Sequence, residues 1–112
     1  MMKIKIAKKM LANAVSNVLK AVPGKTTMDI LNNILISAVG NEIVLIGNDL
    51  ELGISTSVEG EIIEQGKTTL DARLFSEIVR KMPDGDVSIV IDEKGTATVK
   101  CGKSRFSLAT KD

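Results

Sequence analysis

The tetrapeptide Gly-Lys-Thr-Thr occurs twice, at residues 24–27 and 66–69. Such a segment ends phosphate-binding loops, in which backbone N–H groups wrap a phosphate and the lysine neutralises it. That loop also requires a glycine five positions upstream of the second one. Leu19 and Glu61 occupy those places. The first copy follows a helical pattern and the second leads into a strand, so the strand–loop–helix context is missing from both, and nucleotide hydrolysis is excluded. Two acidic pairs, Asp49 with Glu51 and Asp84 with Asp86, could suggest a divalent metal. Neither has a third ligand nearby, and calcium-loop spacing is absent; they read as solvated turns. The chain has no histidine, which removes Ser-His-Asp and Cys-His catalysis and the usual zinc sets. Cys101 is the sole cysteine and reads as a reduced, half-buried strand residue. No cofactor and no metal are expected, and with no nucleophile–base pair an enzyme is not expected either.

Cations are the remaining polar resource, and their placement is uneven. Residues 1–28 carry six lysines and no acid, residues 29–66 carry seven acids and no base, and residues 100–111 carry Lys100, Lys103, Arg105 and Lys111 and no acid. The net charge is only +1, but a near-neutral chain segregated this way can fold with one basic and one acidic surface. Phe75 and Phe106 are the only aromatic residues. A stacking platform for single-stranded nucleic acid is therefore not available, and the core must be aliphatic.

Two amphipathic helices would carry these cations. Residues 8–22 place Leu11, Val15, Val18, Leu19 and Val22 at helical spacing. The opposite arc holds Lys9, Asn13, Ser16, Asn17 and Lys20, and Pro23-Gly24 ends the segment. Residues 72–82 form a second helix, with Asp71 placed to cap its start and Pro83 to stop it. Leu74, Phe75, Ile78, Val79 and Met82 fall on one side. Arg73, Ser76, Glu77, Arg80 and Lys81 fill the other, which reads either as a solvated outer face or as a binding face. Lys25 lies in the loop 25–29, as a surface lysine or a phosphate contact.

Strands account for the rest. Residues 3–7, 33–39, 42–47, 50–58, 67–71, 87–92, 96–101 and 104–109 alternate or run apolar between turn signals such as Gly40-Asn41 and Gly102-Lys103. Residues 61–65 form a short acidic extension with an apolar centre. The chain thus reads as one α+β domain: strand–helix–three strands, written twice, with antiparallel sheets and both helices on one side. The last strand alternates Arg105, Ser107 and Ala109 against Phe106 and Leu108. It either packs on the domain's own core or, as an edge strand, receives a partner. The N-terminus lacks a signal-peptide core and no apolar run spans a membrane, so a cytoplasmic protein without membrane contact is expected.

Several segments occur together in a telling order: Pro23–Thr27, Ile30–Ile36 (Ile-Leu-Asn-Asn-Ile-Leu-Ile), Gly47–Leu52 (Gly-Asn-Asp-Leu-Glu-Leu), Ala72–Phe75, Met82–Gly85 and Ser104–Leu108. The set resembles the first domain of the bacterial DNA polymerase III beta subunits, the sliding clamps, over essentially the whole chain. The resemblance implies a DNA-clamp domain, residues 1–112, the first of three, the other two being absent from this chain. It implies a non-catalytic processivity factor of DNA replication: two subunits close head to tail into a ring around double-stranded DNA, with helices lining the hole. Polymerase and clamp loader would bind the missing domains. Lys25, Arg73 and Arg80 match basic positions facing DNA, and Lys81, Lys9 and Lys20 join them on the same helix faces. Lys103, Arg105, Phe106 and Leu108 match the segment that meets the second subunit. Leu74 and Thr96 depart from positions where relatives can be basic, which implies fewer interface ion pairs. The competing reading is a free-standing interaction module of the same fold with no ring-forming role.

Overall fold

A computed structural model describes residues 1–21, 33–48 and 53–111. Nine strands and two α-helices are found among them, in the order β1 (Met2–Ala7), α1 (Lys8–Val18), a 3-10 turn (Leu19–Ala21), β2 (Asn33–Val39), β3 (Glu42–Asn48), β4 (Gly53–Val58), β5 (Glu61–Glu64), β6 (Gly66–Asp71), α2 (Ala72–Lys81), β7 (Asp86–Ile91), β8 (Thr96–Cys101) and β9 (Ser104–Ala109). Strand alternation works as expected: in β1, Met2, Ile4 and Ile6 are buried, while Lys3 and Lys5 are exposed.

The sheets are not assembled half by half as the doubled sequence pattern suggests. Two antiparallel sheets form, ordered β5-β1-β7-β8-β9 and β4-β3-β2-β6. Each half lends its first strand to the other: β1 pairs along its whole length with β7, and β6 pairs with β2. The exchange follows from the helices. Each first strand leads directly into a helix, at Ala7–Lys8 and Asp71–Ala72, and so is carried away from the strands that follow that helix. Residues 61–64, read as an acidic extension, are a strand after all, because Ile62 lies opposite Ile4 and is packed against the core. A single cluster of buried aliphatic side chains joins both sheets and both helices, with Phe75 and Leu11 completely enclosed. Thr68 is the one buried polar residue among those described.

Local chemistry explains the turns. Gly40 and Gly102 both take positive φ, 67° and 58°, at the first position of two-residue hairpin loops, where only glycine avoids strain. Asp92 shapes the β7–β8 turn, its Oδ1 accepting from the N–H groups of Lys94 and Thr96 at 2.9 Å each. Gly60 is required for a different reason: a Cβ there would lie 2.7 Å from the carbonyl oxygen of Lys5. None of the described helices is long and apolar enough to cross a membrane.

Candidate functional site

The two helices lie beside the four-stranded sheet, α1 along β3 and β4, α2 along β2 and β6, and they touch each other. Their apolar stripes enter the common core: Leu11, Ala14, Val15 and Val18 from α1, Ala72, Phe75, Ile78 and Val79 from α2. Side-by-side helices with a shared core leave their polar stripes on a shared surface. Lys9, Asn13, Ser16 and Asn17 are exposed on α1, and Lys20 is exposed on the 3-10 turn that continues it. Arg73, Glu77, Arg80 and Lys81 are exposed on α2, and Ser76 is half-buried. The structure therefore brings together Lys9, Lys20, Arg73, Arg80 and Lys81 on two adjoining helices. Lys25 and Val22, and the acidic pair Asp49 and Glu51, lie outside the described residues.

The helices are fixed differently. Asp71 has extended backbone geometry, and its Oδ1 accepts from Leu74 N–H at 2.8 Å, a side-chain cap on the first turn of α2. Met82, with ψ 144°, ends the helix before Pro83. Arg80 and Lys81 fall in the last turn, where a cation also favours the helix dipole. The start of α1 has Ala7 at the cap position and no side-chain bond. Instead Lys8 N–H donates to the Gly85 carbonyl at 2.8 Å, and farther along Asn17 Nδ2 donates to Thr56 Oγ1 of β4 at 2.7 Å. α1 is also shorter than its periodicity suggests, narrowing to a 3-10 turn from Leu19. Leu74, assigned to the apolar side, is 48% exposed; it sits at the margin of the stripe, and a helix as short as α2 buries only the centre.

The sheet edge expected to receive a partner is present. β9 ends its sheet, paired to β8 alone among the described strands. Lys103 and Arg105 are exposed, and Phe106 is half-buried against the core. Leu108 is different: only 7% exposed, it belongs to the domain's own core. Its place on β9, opposite Ala97, turns it inward. Just beyond β9, Lys111 N–H donates to the Thr69 carbonyl at 2.7 Å and ties this segment to β6, joining the two sheets.

The second Gly-Lys-Thr-Thr lies within β6, extended and paired to β2 from Gly66 to Thr69, not wrapped as a loop. No group of three or more metal-ligating side chains occurs among the described residues. Cys101 is more buried than expected, and its thiol lies 3.4 Å from the Pro83 carbonyl.

With this geometry in hand, comparison with known proteins is decisive. The family described as the DNA polymerase III beta subunit, N-terminal domain, matches residues 2–112. The chain belongs to this family. Among similar proteins, the beta sliding clamp of Bacillus subtilis is 37% identical over 115 residues, covering 96% of this chain and 30% of the clamp. That of Staphylococcus epidermidis is 33% identical over 120 residues, covering 100% and 32%. A crystal structure from Eubacterium rectale, provisionally assigned as a DNA polymerase III beta subunit, superposes with a TM-score of 0.97 at 49% identity, covering 99% of this chain and 30% of the other. The chain thus spans about a third of the length of the sliding clamps it resembles. As a clamp N-terminal domain it has two helices and antiparallel sheets, consistent with the clamp fold.

Helical spacing alone places Lys9, Lys20, Arg73, Arg80 and Lys81 on the polar arcs that the structure leaves exposed. Sequence reasoning missed the Asn17–Thr56 bond, which has no sequence signal, because its partners lie 39 residues apart. It also missed β5, for which the apolar Ile62-Ile63 pair was the available cue.

Proposed function

We propose that this chain is the first of three domains of a replicative sliding clamp. Two such subunits close head to tail around duplex DNA and hold a polymerase on its template. The observation that carries the reading is the paired helix surface, bearing Lys9, Lys20, Arg73, Arg80 and Lys81 among Asn and Ser side chains. Cations interspersed with small polar groups suit phosphates, which carry no sequence information. They provide no bidentate base recognition on a rigid scaffold, and a sliding ring needs none. Lys25 extends the same lining by its match to the family. The β9 edge, paired to β8 alone among the described strands, with Lys103 and Arg105 exposed and Phe106 half-buried, supports a junction with the second subunit. Polymerase and clamp loader bind elsewhere, on the domains this chain does not span, and the domain itself has no catalytic role.

The test is charge reversal in the full-length protein. Arg73→Glu with Arg80→Glu weakens retention on circular duplex DNA and flattens its salt dependence, whereas Lys94→Glu, in the exposed β7–β8 turn, leaves both unchanged. Equal effects at the two places would overturn the inner-face assignment.

A further inference from the structure

Glu77 is the only acid in either helix, and it lies at the centre of the cationic face of α2. Arg73 is four residues before it, Arg80 three after and Lys81 four after, so all three cations are within one helical turn. Its Oε1 lies 3.8 Å from Arg80 Nη2, the one ion pair among the described residues. Both side chains are open to solvent, 58% exposed for Glu77 and 69% for Arg80. A pair that exposed is weak and exchanges readily. It neither locks the arginine nor contributes much to the helix. Arg73 stands on the N-terminal side of Glu77, the less favourable order for an ion pair within a helix, and is not paired with it.

We infer that Glu77 is an internal competitor for DNA phosphate: its carboxylate occupies Arg80 whenever the duplex moves away. This inference rests on the proposed DNA-facing role of the helix surface and assigns one residue a task within it. Phosphates bind a protein by displacing counterions, and each lysine or arginine engaged adds to the salt dependence. A carboxylate tethered one turn away does the work of a counterion that cannot diffuse off. When a phosphate leaves Arg80, Glu77 takes its place for part of the time, and the next phosphate must then displace it. The result is a contact that holds DNA weakly at any one position, as a surface that travels along the helix requires. α1 has no such acid, and its lysines Lys9 and Lys20 stand at the two ends of its face with Asn and Ser between them. Dilution there does what competition does on α2.

The experiment uses the full-length protein in four forms: unaltered, Glu77→Gln, Arg80→Gln and the double variant. Binding to a fluorescent duplex is followed between 50 and 200 mM salt. Glu77→Gln keeps the size of the side chain and its helix propensity. The expected result is tighter binding, with a salt slope steeper by up to about 0.9, equivalent to about threefold more affinity lost across that range. Arg80→Gln weakens binding, and in its background Glu77→Gln has no further effect. If Arg80→Gln weakens binding and Glu77→Gln matches the unaltered protein, the competition is wrong while the DNA-facing surface stands. If Glu77→Gln tightens binding equally with and without Arg80, the acid acts through the general field and the Arg80 exchange is wrong. If neither variant changes binding, the DNA-facing reading fails and takes this inference with it.

Discussion

α1 and α2 present similar faces but are held by different means. α2 carries its own instructions: an aspartate that caps its first turn, a proline that follows its C-cap Met82, and basic residues against its C-terminal dipole. α1 has an alanine at its cap position with no side-chain bond, and it narrows to a 3-10 turn over Leu19–Ala21. Its start is tied to the Gly85 carbonyl and its last turn to Thr56, both distant in sequence. One helix is therefore locally specified, and the other is specified by the strands it lies on. The polar faces differ in the same spirit: α2 mixes cations with an acid, and α1 spaces its lysines with amides and hydroxyls. Two helices can thus arrive at one surface by separate routes, because what the surface requires is a charge density and not a particular set of contacts.

That contrast can be broken most severely at the core the helices share. Phe75→Ala empties the largest wholly buried side chain and is expected to cost about 3–5 kcal/mol, measured by urea denaturation of the 112-residue chain; a cost below about 1 kcal/mol would mean that α2 is not anchored through Phe75. Next in size is the cap. Asp71→Ala removes the only side-chain partner of the Leu74 N–H and should cost about 1 kcal/mol, whereas Ala7→Ser, which offers α1 the cap it lacks, should gain about 0.5 kcal/mol. Responses of opposite sign would sharpen the distinction; no response at Asp71 would erase it. The smallest effect expected is at Asn17→Ala. Losing the bond to Thr56 at an exposed position should cost about 0.5 kcal/mol, visible as faster amide exchange in α1 with none in α2.

The same distinction governs what could be read from the chain alone. α2 was legible to within one residue, ending at Lys81 and not Met82, since capping aspartate, stop proline and apolar stripe are all local, although Leu74 at the margin of that stripe is exposed. The hairpins were legible for the same reason, through Gly40-Asn41 and Gly102-Lys103. Strand exchange between the halves was not, because pairing of β1 with β7 joins residues some 85 apart and leaves no periodic trace. β5 escaped notice because four residues with acids at both ends resemble a loop until Ile4 is seen opposite Ile62. For the site, the cations on both helices and the exposed half of β9 followed from alternation and helical spacing. The inward turn of Leu108 also follows from alternation, yet alternation alone does not say which face of an edge strand meets the core and which a neighbour.

The central claim is that the helix surface, and not the sheet surface, faces DNA. It can be tested by proximity. A photoreactive side chain placed at Asn13, exposed on α1, and separately at Lys100, exposed on the outer side of β8, is irradiated in the full-length protein loaded on circular duplex DNA. Crosslinking to DNA from position 13 and none from position 100 is the predicted result. Crosslinking from position 100 with none from position 13 would contradict the account.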